Sequence, residues 1–266
     1  MKDKEYKYNE PYLKQYFASD GSQKFKLSIM RCVKNKFVES PSTERELNKN
    51  EEKLETNLMR AKSTIFELAY CNQWDYFFTG TLDKTKANRE DLAKFNEKFK
   101  KFIFNVNHKY NCKISYLIIP ELHSDLKSWH FHGFLFGVPE DRIYQFKIGD
   151  KMGKRIADKV ALGEECFYWV DWSHTFGFND LEKIRNCEAV SKYVTKYITK
   201  DLIHSVKELN AHTYYCSKHL NRATSLSTKK IDLSKLGSLK PSFKNDYCRL
   251  YWLNAQQYKL ISNDNL

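Results

Sequence analysis

No run of about 18 apolar residues occurs in this chain, so nothing in it is long enough to cross a bilayer as a helix. It has no Cys-x-x-Cys pair, and its seven cysteines, at 32, 71, 112, 166, 187, 216 and 248, are scattered and odd in number. That pattern argues against a disulfide framework or a cysteine zinc site and reads as a reducing cytosol. Met1-Lys2-Asp3-Lys4-Glu5 carries charge where a signal peptide carries an apolar stretch, so no secretory leader is expected. Internal repeats and low-complexity tracts are absent. So is the Gly-x-x-x-x-Gly-Lys-Ser/Thr loop that cradles nucleotide phosphates, so no helicase motor is expected.

What the chain does have is length, charge and aromatics. Its 266 residues, 41% of them hydrophobic, suffice for one large domain or a domain with extensions. A net charge of +12 favours a polyanionic partner, and 15% aromatic residues suit base stacking as well as core packing.

Periodicity outlines the elements. Residues 1–22 are polar and tyrosine-rich and read as an arm. Phe25, Leu27 and Ile29 alternate as in a strand. Thr43 with Glu46 resembles a capping box for a helix over 44–70, in which Leu47, Leu54, Leu58, Ala61, Ile65 and Leu68 recur at helical spacing. A buried strand is expected over Tyr76–Leu82, a helix near 88–108 and a strand over Ile114–Ile119. Residues 139–163 read as a flexible basic excursion, with Lys147, Lys151, Lys154, Arg155 and Lys159 available to grip an anionic partner. Strand-like aromatics return at Phe167–Trp172. A strand near 178–184, a helix over Glu188–Leu202, a basic tail from 224 and a strand near 247–253 complete the pattern. The fold class is α+β, a central antiparallel sheet flanked by helices. The expected division is an arm with an accessory strand (1–50), a principal domain (51–223) and a basic C-terminal extension (224–266).

The most informative local feature is His130-Phe131-His132 in the apolar run Trp129–Phe136. On a strand, residues two apart share a face, so the imidazoles project together while Phe131 points to the core. The polar stretch His123–Ser128 reads as a hairpin turn. With the turn centred between Asp125 and Leu126, Glu121 stands opposite His130, at cross-strand contact distance. Glu121, His130 and His132 together suit Mg²⁺ or Mn²⁺ and would also take zinc, with His123 as an alternative ligand. Pro120 places Glu121 near the strand end. Downstream, Tyr193 and Tyr197 lie at i and i+4 on one helix face, each followed three residues later by a lysine, Lys196 and Lys200. Val190, Val194 and Ile198 form the stripe that docks this helix. A phenol is a poor nucleophile at neutral pH unless a cation lies nearby. The Thr79-Gly80-Thr81 stretch reads as sheet support.

In combination and order these motifs resemble those of the HUH endonucleases and, within them, the rolling-circle replication initiators (Rep proteins) of small phages and plasmids. The resemblance rests on Phe78-Thr79-Gly80-Thr81, Glu121 with His130-Phe131-His132, and Tyr193-x-x-Lys196-Tyr197-x-x-Lys200, and spans roughly residues 57–223. Trp172, Gly177 and Tyr214-Tyr215-Cys216-Ser217-Lys218 resemble the connecting parts. The resemblance implies a fold related to the RRM and ferredoxin-like architecture and site-specific nicking of single-stranded origin DNA. A metal on Glu121, His130 and His132 would polarise the scissile phosphate, and Tyr193 or Tyr197 would attack it to leave a 5′-phosphotyrosine and a free 3′-OH. Lys196 and Lys200 would neutralise phosphate charge. Host DNA polymerase and helicase are the implied partners, in the cytoplasm of a bacterial host, with no membrane involved. A relaxase or transposase of the same superfamily, or a non-catalytic origin- or single-strand-binding module, are the alternatives.

Overall fold

The computed structural model describes residues 6–8, 11–33, 44–199, 201–203, 205, 212–229, 231–245 and 248–263. Thr43 of the expected capping pair and Lys200 lie outside them. The chain divides into two compact units, one of residues 1–48 with 221–266 and one of residues 49–220. The described fold is α+β: two antiparallel sheets with several helices.

The first unit opens with strands where an arm was expected. β1 (Tyr6–Tyr8) and β2 (Tyr12–Phe17) both pair with β3 (Gln23–Val33). Leu13 on β2 is fully buried, as are Phe25, Leu27 and Ile29 on β3 or nearly so, and this apolar stripe is what holds the polar, tyrosine-rich segment in a sheet.

In the second unit, α1 (Glu44–Tyr70) buries Ile65 and Leu68. β4 (Tyr76–Thr81) follows. α2 (Leu92–Tyr110) starts later than periodicity suggested, because the Asp91 side chain accepts from the Lys94 N–H and caps it there. It ends on Asn111 in the left-handed conformation. Its buried face carries Phe95, Phe99 and Phe102, each ring contributing about 2 kcal/mol of burial. β5 (Ser115–Leu122) and β6 (Trp129–Phe136) form the expected hairpin. Phe131 stacks on Phe95, centroids 3.9 Å apart, which pins that face of β6 to the core and turns His130 and His132 to the other. A Cβ at Gly133 would come within 3.0 Å of the Leu117 carbonyl oxygen, so glycine lets the two strands close up.

Residues 139–163 are more regular than expected. After β7 (Ile143–Gln145), α3 (Lys154–Ala161) buries Ile156 against Phe146 and Cys166, a small apolar cluster that holds the basic segment in place. β8 (Phe167–Trp169) is shorter than its aromatic run, and Val170–Thr175 turns into α4, which buries Trp172. β9 (Asn179–Lys183) follows. The helix expected over Glu188–Leu202 is broken: α5 (Cys187–Val194) passes into a 3-10 turn at Thr195–Tyr197, and Ile198 is extended. The β-branched pairs Val194-Thr195 and Ile198-Thr199 fit helix geometry poorly, and the Thr195 hydroxyl bonds back to the Lys192 carbonyl. β10 (Tyr215–Cys216) completes a sheet ordered β10-β5-β6-β4-β9-β8-β7. β10 pairs with Leu117 and Ile118 alone, so Pro120 sits where β5 has an open edge among the described residues, a place that tolerates proline.

The chain then returns to the first unit. β11 (Thr224–Leu226) pairs with β2, and β12 (Phe243–Lys244) with β13 (Cys248–Leu253), which pairs along β3. α6 (Ala255–Ile261) begins at an Asn254–Gln257 capping box and stacks Tyr258 on Phe25, centroids 4.0 Å apart. The separate arm and basic extension are thus corrected to one unit. An isolated hairpin is marginal in water, and the C-terminal strands and helix cover the apolar face that β2 and β3 leave open.

Candidate active site

The site face of the larger sheet follows from register. Glu121 pairs with His130 and Ile119 with His132 on β5–β6, while Thr79 pairs with His132 on one side and Asp180 on the other. Residues directly opposed share a face, so Glu121, His130, His132, Thr79 and Asp180 all project from it. The turn that sets this register is polar. The Asp125 carboxylate accepts the backbone N–H groups of Lys127 and Ser128 at 2.9 and 2.8 Å, and Leu126 takes the left-handed conformation.

Glu121 Oε2 lies 2.8 Å from His132 Nε2 and accepts its proton. The bond from His132 holds the Glu121 carboxyl below the ordinary carboxylate range, against the opposing effect of burial. In that tautomer His132 Nδ1 is an acceptor for the Thr79 hydroxyl, 3.4 Å away. Thr79, read from the sequence as sheet support, therefore also touches a candidate ligand. His130 stacks on His123, centroids 4.7 Å apart. Burial, and then the charges of His123 and His132, push its pKa down, which favours the neutral imidazole that binds metals. Among the described residues no three His, Cys, Asp or Glu side chains are gathered tightly enough to count as a metal centre as they stand. The donor set itself, two imidazoles and a carboxylate on one strand pair, has the chemistry for a divalent cation.

The tyrosines come together despite the helix break. The Tyr197 hydroxyl donates to that of Tyr193 at 3.3 Å, and the Tyr197 ring lies flat on His132, centroids 3.9 Å apart and 8° from parallel. Tyr193 is 47% exposed and Tyr197 8%. Lys196 Nζ stands 3.6 Å from the centre of the Tyr193 ring and 4.7 Å from that of Tyr197. Burial raises the Tyr193 pKa, but the bonds from Lys196 and Tyr197 outweigh it and the net shift is downward. Burial, then the bond it donates to Tyr193, pushes Tyr197 far up. The two phenols are not equivalent.

Both open on a cleft of about 500 Å³ lined by Phe77, Thr79, His132, Arg155, Tyr193 and Tyr197. Of the four basic residues singled out in 147–155, only Arg155 lines this cleft, where Asp180 (2.7 Å) and Glu182 (2.6 Å) grip its guanidinium. Lys159 bonds Glu182 at 2.8 Å. Lys147, Lys151 and Lys154 are exposed on the approach to α3. The carboxylates Asp180 and Glu182 carry no motif. Their alternate spacing on β9 is the signal, and it has meaning only once β9 is paired to β4.

No curated protein and no solved structure gives a significant match to the chain. Residues 75–202, a little under half of the chain, match a family model described as a replication-associated protein of the ORF2 type. The matched span holds Glu121, both histidines and both tyrosines, and the match supports a replication initiator.

Proposed function

We propose that this chain nicks one DNA strand and keeps its 5′ end on a tyrosine, as an initiator of rolling-circle replication. The observation that carries this reading is the placement of paired phenols, 3.3 Å apart, with one ring stacked on His132. Tyr193, the more exposed phenol, is the first nucleophile. Lys196 and the proton donated by Tyr197 favour its phenolate. Its Oη attacks phosphorus, the bond from phosphorus to the 3′ oxygen breaks, and the phenol proton ends on that oxygen as a free 3′-OH. The phosphotyrosine conserves the phosphodiester bond, so no ATP is consumed. Tyr197 serves a second transfer that releases the circle.

Glu121, His130 and His132 would hold a Mg²⁺ or Mn²⁺ ion, which supplies Lewis-acid polarisation of the phosphate. Arg155 and Lys196 place positive charge beside the same cleft. The match to a replication-associated family favours an initiator over a relaxase or transposase with the same chemistry.

The test incubates the protein with a labelled pool of random-sequence single strands and Mn²⁺. An initiator leaves a phenol-resistant protein–DNA adduct that EDTA prevents and that a Tyr193→Phe/Tyr197→Phe double variant cannot form. A non-catalytic binding module retains the strands and leaves them intact. An adduct from the double variant refutes the tyrosine assignment.

A further inference from the structure

We infer that the protein holds an unpaired nucleobase in a second, aromatic pocket beside α3, a proposal that rests on the DNA-nicking function above. The pocket has a volume of about 270 Å³ and is lined by Phe146, Tyr168, Phe178, Asp150, Lys151 and Ser173. That is below the roughly 300–1,000 Å³ of pockets that engulf drug-sized ligands, and it suits a single flat ring system.

Its aromatic walls are arranged for stacking. The Phe146 and Phe178 rings lie 27° from parallel with centroids 6.0 Å apart, and Tyr168 packs on Phe146 at 4.8 Å. Phe146 has structural work in the small cluster with Ile156 and Cys166. Phe178 belongs to none of the packed apolar clusters among the described residues and is 38% exposed. A phenyl ring kept half in water at the mouth of a pocket is a platform for a π-face, which every base offers.

The polar lining suits a base with its phosphate. Ser173 Oγ accepts from Asn179 at 2.8 Å, which leaves its own proton to donate. Asp150 closes the preceding turn by accepting the Lys147 N–H through Oδ2 at 2.8 Å, and its other oxygen is an acceptor for an exocyclic amine. Asp150 is the one acid of the lining, and the exposed Lys147, Lys151 and Lys154 around it supply the charge that a phosphate backbone requires. The pocket and the cleft share β9: Asn179 borders the pocket and Glu182 the cleft. Three residues of strand span about 10 Å, close to three stacked nucleotide rises. One single strand can thus place a phosphate at the tyrosines and a nearby base in the pocket.

The experiment measures binding without cleavage, in EDTA, by fluorescence anisotropy of the full chain. The probes are an oligothymidylate and an abasic oligomer with the same number of phosphates. Phe178→Ala and Phe178→Leu should each weaken oligothymidylate binding at least about fivefold, leave the abasic oligomer unchanged and keep the salt slope, while Phe178→Trp retains affinity. Lys151→Ala should weaken both probes and lower the salt slope by about one. Phe178→Leu preserves apolar packing and separates stacking from stability. Equal losses on both probes, or none, overturn the pocket. Because the assay needs no nicking, an intact pocket with no adduct would sink the proposed chemistry alone, and an adduct with no Phe178 effect would sink the pocket alone.

Discussion

The Tyr197 hydroxyl donates to the hydroxyl of Tyr193 across 3.3 Å, while its ring lies against His132. One phenol is thereby a donor and a wall, the other an acceptor open to the cleft. Tyr193→Phe should abolish the first covalent adduct. Tyr197→Phe keeps the ring on His132 but removes a hydrogen bond to a developing phenolate, worth about 1.5–3 kcal/mol, so adduct formation should slow by about tenfold to a hundredfold. Single-turnover rates of the two variants on one labelled strand decide it, and the reverse ranking would show that Tyr197 attacks first.

Lys196 sets the second expectation. Tyr193 has its pKa lowered from 10.0 because Lys196 and Tyr197 outweigh burial, so its phenolate fraction at any pH below that value exceeds that of a free phenol. Lys196→Met should move the pH–rate profile of nicking upward, with a deficit at neutral pH that closes as the medium approaches pH 10.0. A uniform drop at every pH would mean that Lys196 acts on the phosphate instead.

Legibility followed sequence distance. The β5–β6 pairing was readable because a polar turn with Asp125 at its centre joins two apolar strands, and a short hairpin leaves one register that buries Phe131. The tyrosine pair was readable at i and i+4 even though the helix around it was not, since a 3-10 turn still brings Tyr197 back to Tyr193. Thr79 and Asp180 were hidden because their roles arise from pairing β4 with β6 and β9, over 53 residues in the case of Thr79 and His132. The terminal sheet was hidden for the same reason at greater range: Tyr12 and Ser225, 213 residues apart, share a hydrogen bond.

Asp180 and Arg155 form an unequal pair: the Asp180 side chain is 4% exposed and that of Arg155 55%. Removing the aspartate leaves a solvated cation, whereas removing the arginine strands a buried anion. Arg155→Ala should therefore cost about 3 kcal/mol at neutral pH and Asp180→Asn about 1 kcal/mol. Burial already raises the Asp180 pKa above 3.8, and losing Arg155 raises it further. A group with a raised folded pKa binds its proton more tightly when folded, so the cost is present above that pKa and fades as pH falls through it. Urea unfolding at neutral and mildly acidic pH should show the Arg155→Ala deficit shrinking in acid, and a pH-independent deficit would exclude a stranded charge.

The last expectation concerns the turn that brings Glu121 opposite His130. Backbone and hydroxyl bonds from Ser128, then the Lys127 N–H, hold the Asp125 carboxyl well below its ordinary 3.8. A depressed folded pKa contributes stability that is present above 3.8 and lost as pH falls through the folded value. Asp125→Asn keeps one acceptor but loses the charge and the 2.7 Å bond from the Ser128 hydroxyl. The hairpin should then open more often, which faster hydrogen exchange at His123 and Leu126 would report, since those amides close the turn at 2.8 and 2.9 Å. Adduct yield should fall with it, because a hairpin that slips by one residue carries Glu121 off the histidine face. The difference from the parent chain should narrow below pH 3.8, where the parent begins to lose the same interaction. A gap of constant size in acid and at neutrality would show that the turn owes nothing to the Asp125 charge.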